Sequence, residues 1–315
     1  MQTTHRRLFF SWICTACVAV AGHAAEADHG FIRKTYLGDN GKTFKYVVFV
    51  PAHLEPQQKL PVILFLNGWG ENGDDGLRQI SNNFGSDVWR MRDYFPFLAV
   101  CPQCSYVGVW TPGSENAAMA MAVLDAAIEE YGGDSKRVCV TGASVGGAGA
   151  LALASQYPSR FASVVPVAVG SAGDLKNLAG VGMPIWCFYN SEDEYKLADS
   201  ARTMRRELLQ AGLSPFVTEF NAIGHNAWDS AYGPPALYRW ILEHDLDNRN
   251  ARPFRLIPPV EALREWRPRG SATWVANNDE VTASLAGNSG EAFLTSPPLG
   301  SAGEFHFDVF LQKEA

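Results

Sequence analysis

The chain of 315 residues predicts an α/β fold, a mostly parallel sheet flanked by helices. Three observations carry this. Apolar strands alternate with helical segments through about residue 247. Two strands, Leu60–Leu66 and Phe97–Cys101, are unbroken apolar runs, as expected where a strand is covered on both faces. Around Ser144, an apolar strand passes through a glycine-flanked turn directly into a helix of small residues.

The elements follow in order. Phe31–Tyr36 and Phe44–Val50 read as two opening strands turned by Gly38-Asp-Asn-Gly41. After Leu60–Leu66 and Phe97–Cys101, residues Asn116–Tyr131 are helical, with Met121, Leu124 and Ile128 on one face. Val138–Thr141 leads into the turn at Ser144. Ser163–Val169 and Pro184–Tyr189 are further strands. Ala198–Ala211 is an amphipathic helix stopped by Gly212. Phe216–Phe220 is the last strand of this part and Pro234–Leu242 its last helix. In such sheets, sites form beyond the C-terminal strand ends. The loops that matter therefore begin at Asn67, Pro102, Thr141, Asn190 and Asn221.

The sequence Gly142-Ala-Ser144-Val-Gly146 has the form of a nucleophile elbow. A turn that tight presses the residues two before and two after the serine together, and glycines stand at both places. With 29 glycines in the chain the bare pattern is common. The strand before it and the small-residue helix after it give it meaning. A serine hydroxyl needs a base, and the base needs an orienting carboxylate. His225 follows a strand and sits in a glycine-kinked loop, unlike His29, His53, His244 and His306. Asp193 lies just past the preceding strand, with Glu192 and Glu194 beside it and Asp174 farther away. The order Ser144, Asp193, His225 is that of Ser-acid-His hydrolases. The backbone N–H groups of Val145 and Trp69 are the expected oxyanion donors. Trp110 and Trp228, on loops at the same face, are candidate substrate walls.

Gly68-Trp-Gly70-Glu-Asn-Gly73 also matches a dinucleotide fingerprint. Asp74 and Asp75 follow at once, where a pyrophosphate would need an uncharged helix start, so that reading is rejected. Cys101-Pro-Gln-Cys104 lacks a second ligand pair for zinc and a helix for redox chemistry; a local disulfide stays open. The net charge of -7 argues against a nucleic-acid partner. Residues 1–25 read as a signal peptide, with Arg6-Arg7 before an apolar stretch from Leu8 to Ala21 and small residues near Ala24. The expected location is secreted or periplasmic, with no membrane contact once the leader is cleaved. The expected organisation continues with a catalytic domain at 26–247, a linker at 248–262 and a β-rich partial domain at 263–315. Within the last, Thr273-Trp-Val, Glu280–Leu285, Glu291–Thr295 and Glu304–Gln312 read as strands.

Taken together, these motifs resemble the α/β-hydrolase superfamily. More narrowly, they are similar to its secreted branch of poly(3-hydroxybutyrate) depolymerases, feruloyl and acetyl-xylan esterases and "predicted peptidase" relatives. The matching pieces are Tyr46–Pro51, Asn67–Gly70, Pro102-Gln-Cys104 with Trp110, Gly142–Gly146, Pro184–Asp193 and Gly224–Trp228. The chain departs from that branch at Asn67-Gly68 and at Tyr189-Asn190, where His-Gly is usual. The tail from Trp266 resembles the opening of a jelly roll of the 3-keto-disaccharide hydrolase type. The resemblance implies an α/β-hydrolase fold, no cofactor or metal, and a small-molecule or polysaccharide ester substrate cleaved through an acyl-enzyme. A serine peptidase on the same site and a catalytically silent carbohydrate-binding protein are the alternatives.

Overall fold

The computed structural model describes residues 29–52, 59–170, 175–247 and 249, together with four short C-terminal strands. Eight strands form the main sheet: β1 (Gly30–Leu37), β2 (Thr43–Val50), β3 (Leu60–Leu66), β4 (Leu98–Pro102), β5 (Gly133–Ala143), β6 (Ser163–Val167), β7 (Trp186–Glu192) and β8 (Phe216–Ile223). Their order is β1-β2-β4-β3-β5-β6-β7-β8. β1 and β2 are antiparallel to their neighbours, and the other pairs are parallel.

Alternating residues of the central strands face two separate cores. Val62, Leu64 and Leu66 of β3 join Val100 and Val140 on one side, under α2 (Glu115–Tyr131), α3 (Val145–Gln156), α4 (Lys176–Gly180) and α5 (Leu197–Gln210). Ile63 and Phe65 face the other side, under α1 (Asn83–Met91), α6 (Trp228–Tyr232) and α7 (Pro235–Leu242). Burial on both faces explains the unbroken apolar runs. On the second side the packing is aromatic. Phe65 stacks on Phe84 at 4.8 Å, and Tyr232 meets both rings edge-on. The Tyr232 hydroxyl lies 2.9 Å from Thr141 Oγ1, whose proton goes to the Val165 carbonyl. Tyr232 is therefore the donor, and it ties α6 to β5, the strand that leads into Ser144.

The same alternation settles the cysteines. Cys101 faces the second core and Cys104 the first, so their side chains diverge and all four described thiols are free. The C-terminal strands pair antiparallel, β10 (Ala272–Asn277) with β11 (Glu280–Leu285) and β9 (Arg267–Gly270) with β12 (Ala292–Thr295). Three of the four expected tail strands thus appear. The fourth, Glu304–Gln312, lies outside the described residues, as do the leader and all of 248–262 except Arg249. The Arg249 guanidinium donates to the carbonyls of Val181 and Phe161. No helix among the described residues is long and apolar enough to cross a membrane.

Burial pushes the Cys104, Cys139 and Cys187 thiols up to about 12. Iodoacetamide should therefore leave all four described cysteines unmodified in the native protein. Dithiothreitol should leave the Tm unchanged; a fall would reveal a bridge.

Asp87 of α1 is a local cost. It is 2% exposed, its Oδ1 pairs with Arg90 at 2.5 Å, and its Oδ2 has no hydrogen-bond partner. Burial, countered by Arg90 and reinforced by Asp229, raises its pKa from 3.8 to about 6. Between those values the folded state binds a proton that the unfolded chain has released. Stability therefore falls as pH rises through this window. The penalty above pH 6 is at most about 3 kcal/mol. Asp87→Asn should gain about 1–2 kcal/mol over the parent at pH 8 and nothing at pH 4, after allowing for the lost surface pair. Urea unfolding at the two pH values checks this.

Candidate active site

β5 ends at Ala143, and α3 starts one residue after Ser144. Between them Ser144 adopts φ 56 and ψ -120, a strained conformation worth about 1–3 kcal/mol. Its N–H is held by the Val167 carbonyl at 2.9 Å and its carbonyl by Ala148 N–H at 3.1 Å. A Cβ on Gly142 would lie 2.4 Å from the Gly146 carbonyl group. A Cβ on Gly146 would lie 2.0 Å from the Leu66 oxygen. Both glycines are thus required by contact.

His225 Nε2 lies 2.8 Å from Ser144 Oγ, and His225 Nδ1 lies 2.6 Å from Asp193 Oδ2. A carboxylate only accepts, so Nδ1 carries the proton of the neutral ring and Nε2 accepts from the serine. The Asp193 side chain is fully buried, and its Oδ1 accepts from Tyr195 N–H at 2.8 Å. Glu192 and Glu194, its neighbours in the chain, are exposed. His244 is buried and donates to the Trp240 carbonyl. His53, His306 and Asp174 lie outside the described residues. Three side chains from loops after β5, β7 and β8 therefore meet in one line.

Two features hold the histidine, the first of which sequence reasoning missed. Asn190 Nδ2 donates to the carbonyls of Gly224 and Asn226, which bracket His225. Gly224, at φ +94, donates its N–H to the Glu192 carbonyl. Asn190 stands where the resembling branch has His-Gly, and that departure was its only signal in the sequence. Tyr195 meets the His225 ring edge-on at 4.7 Å and is 66% exposed. Nothing in the sequence marks it beyond its place two residues after Asp193.

Val145 is the first residue of α3, and Trp69 the first of a one-turn 3-10 helix, Trp69–Glu71. First-turn N–H groups have no partner within their own helix, so both are available as donors. Gly68 brings the second turn against the first: a Cβ there would lie 3.8 Å from Ser144 Cβ and 3.3 Å from the Ala143 carbonyl. The Trp69 side chain is exposed. Trp228 is half-buried, its ring perpendicular to His225 at 5.4 Å.

Trp110 corrects an expectation. It is 1% exposed, packs against Gly149 of α3, and donates through Nε1 to the Asn67 carbonyl at 2.9 Å. It cannot line a substrate surface; it braces the loop after β3 from beneath. The dinucleotide-like glycines fall in this same loop, around a 3-10 turn rather than at the start of a long helix.

Asn67, the other departure from His-Gly, is fully buried. Its Oδ1 accepts from Cys104 N–H, and its Nδ2 donates to the Gly68 carbonyl and to Asn72 Oδ1. An amide can both give and take here: its oxygen pins the loop to the segment just after β4, and its nitrogen closes the loop on itself. Asn67→Ala should cost about 1–3 kcal/mol of stability by leaving Cys104 N–H unpaired. It should also slow modification of Ser144 by a fluorophosphonate by up to about 10²-fold through misplaced donors. Denaturation and labelling rates check the two effects separately.

A model of the prolyl oligopeptidase family matches residues 112–175. Acetylxylan esterase A from Aspergillus awamori is 24% identical over 208 residues, covering 62% of this chain and 60% of that protein. The chain thus spans about three-fifths of the length of the curated relatives it matches. A thermostable esterase of known structure superposes with a TM-score of 0.63 at 25% identity, covering 68% of this chain and 63% of the other. A ferulic acid esterase superposes at 0.53 and 17%, covering 67% and 96%. With the sheet order and the elbow, these likenesses establish that the chain has the α/β-hydrolase fold.

Proposed function

We propose that this chain is a serine carboxylesterase working through an acyl-enzyme. The observation that carries the reading is the unbroken contact from Ser144 Oγ through His225 to the buried Asp193. In this mechanism Ser144 attacks the ester carbonyl while His225 Nε2 takes its proton. The N–H groups of Val145 and Trp69 receive the oxyanion. His225 then gives the proton to the departing alcohol, and the acyl-serine is hydrolysed by water activated in the same way. Asp193 fixes the imidazole tautomer and stabilises its charged form.

The ester is one carried by a polysaccharide or a fragment of it, a reading supported by the acetylxylan and ferulic acid esterases among the similar proteins. Residues 26–247 form the catalytic unit, exported by the leader at 1–25. The segment 248–262 links that unit to the partial β-domain at 263–315. A peptidase is the second reading, favoured by the prolyl oligopeptidase model over 112–175.

A fluorophosphonate should label Ser144 alone, and p-nitrophenyl acetate should be turned over far faster than a peptide anilide. Ser144→Ala should lower kcat by about 10⁶ and Asp193→Asn by about 10⁴. Undiminished turnover in Ser144→Ala would sink the mechanism. Preference for the anilide would select the peptidase.

A further inference from the structure

The proposed relay leaves the side chains beside His225 without a role, and their position relative to the imidazole gives them one. In ester cleavage the histidine must return its proton to the leaving oxygen. The alcohol half of the substrate therefore occupies the space next to the imidazole. The acyl half lies toward Gly68 and Trp69, where the oxyanion donors are. Whatever is exposed around His225 meets the alcohol.

Two aromatic rings stand there. Tyr195 meets the imidazole at 75° and Trp228 at 90°, so neither covers it. Tyr195 is the exposed one, and it is held rather than loose. Asp193 Oδ1 accepts its N–H at 2.8 Å, and the Asp193 carbonyl accepts Lys196 N–H at 2.9 Å. Lys196 takes the left-handed conformation, φ 54, to close this turn. The carboxylate that orients His225 on one oxygen thus fixes the backbone of Tyr195 with the other. A hydrophobic ring 66% open to solvent, anchored at both flanks, suits stacking on a flat apolar face. Its chain neighbours, Glu194 and Lys196, are both exposed, and the Glu194 carboxylate lies beside Gly224 of the histidine's loop, so an acceptor and a donor for hydroxyl groups stand next to the ring with no net charge between them.

We propose that Tyr195, which shares the His225 imidazole with Trp228, is the specificity-determining platform for the leaving alcohol, and that it selects a neutral sugar ring. A pyranose presents a C–H face to the tyrosine and hydroxyls to the neighbouring Glu194 and Lys196. A short alkyl alcohol offers neither. This proposal rests on the esterase reading above. It adds that discrimination lies on the alcohol side of Ser144 and depends on the ring of Tyr195 rather than its hydroxyl.

The test uses the full chain and two acetates that share an acyl group, a mono-acetylated methyl β-xyloside and ethyl acetate. The measured quantity is the ratio of their kcat/KM values. Tyr195→Ala should lower that ratio about tenfold, mainly through KM for the sugar acetate, whereas Tyr195→Phe should keep it within about twofold. Replacing acetyl by propionyl on the same sugar should leave the tenfold effect in place. An unchanged ratio in Tyr195→Ala, or equal losses on both acetates, overturns the platform while the esterase reading stands. Equal losses would mean that Tyr195 merely supports His225. A wild-type chain that cleaves neither acetate and leaves Ser144 unlabelled overturns the esterase reading and the platform with it.

Discussion

Everything at this site depends on the approach of the Leu66 carbonyl to two glycines. Leu66 ends β3 and pairs with Gly142 of β5, while Gly146 in the first turn of α3 sits against the same oxygen. No side chain fits in that gap. Closing it lets α3 begin directly over the strand end and forces Ser144 into its strained conformation. The strain is held by hydrogen bonds on both sides of the residue, from Val167 and to Ala148. A looser turn would relax Ser144 and at once lower its oxygen and separate the first-turn N–H groups from the loop after β3.

Around that contact, buried polar side chains set the distances that apolar packing alone would leave soft. Asn67 fixes the loop after β3 to the segment just after β4. Asn190 fixes the loop after β8 to β7. Tyr232, seven residues beyond His225, donates to Thr141, three residues before Ser144. This last bond links the histidine's side of the site to the serine's side through the aromatic core beneath the sheet. Each of these groups is satisfied by more than one partner or by a partner that is itself satisfied, the condition under which a buried polar group fixes a geometry.

Much of this was legible in the sequence because it rests on local patterns. The continuous runs at Leu60–Leu66 and Phe97–Cys101 record burial on two faces, and the glycines at 142 and 146 record a steric necessity. His225 and Asp193 were picked out by their places after strands, and the structure brings both to Ser144. What escaped has other causes. Phe84, Val88 and Met91 have helical spacing, yet Gly85 and the polar residues between them conceal α1. α6 has five residues and exists because Tyr232 is buried, a tertiary fact. Trp110 shares its loop position with surface residues, and only the cavity left by Gly149 shows that it points inward. Tyr195 is placed by a backbone hydrogen bond to an aspartate side chain, which leaves no composition signal.

The two sides of Ser144 are built from different materials, and the difference has a functional sense. In the proposed mechanism the oxyanion side consists of backbone donors on a loop held by the buried Asn67 amide, with Trp110 beneath it. Such a surface has one arrangement and treats every carbonyl alike. The histidine side carries one exposed ring, Tyr195, on a short turn anchored through Asp193, and the half-buried Trp228 at the start of α6. If the proposed platform holds, substitutions at Tyr195 alter which surface meets the substrate without touching the strand ends that fix Ser144. On that proposal, a site divided in this way would keep its chemistry constant while its choice of alcohol changed. The shared Asp193 would limit that freedom, because the same carboxylate bonds both the Tyr195 backbone and His225.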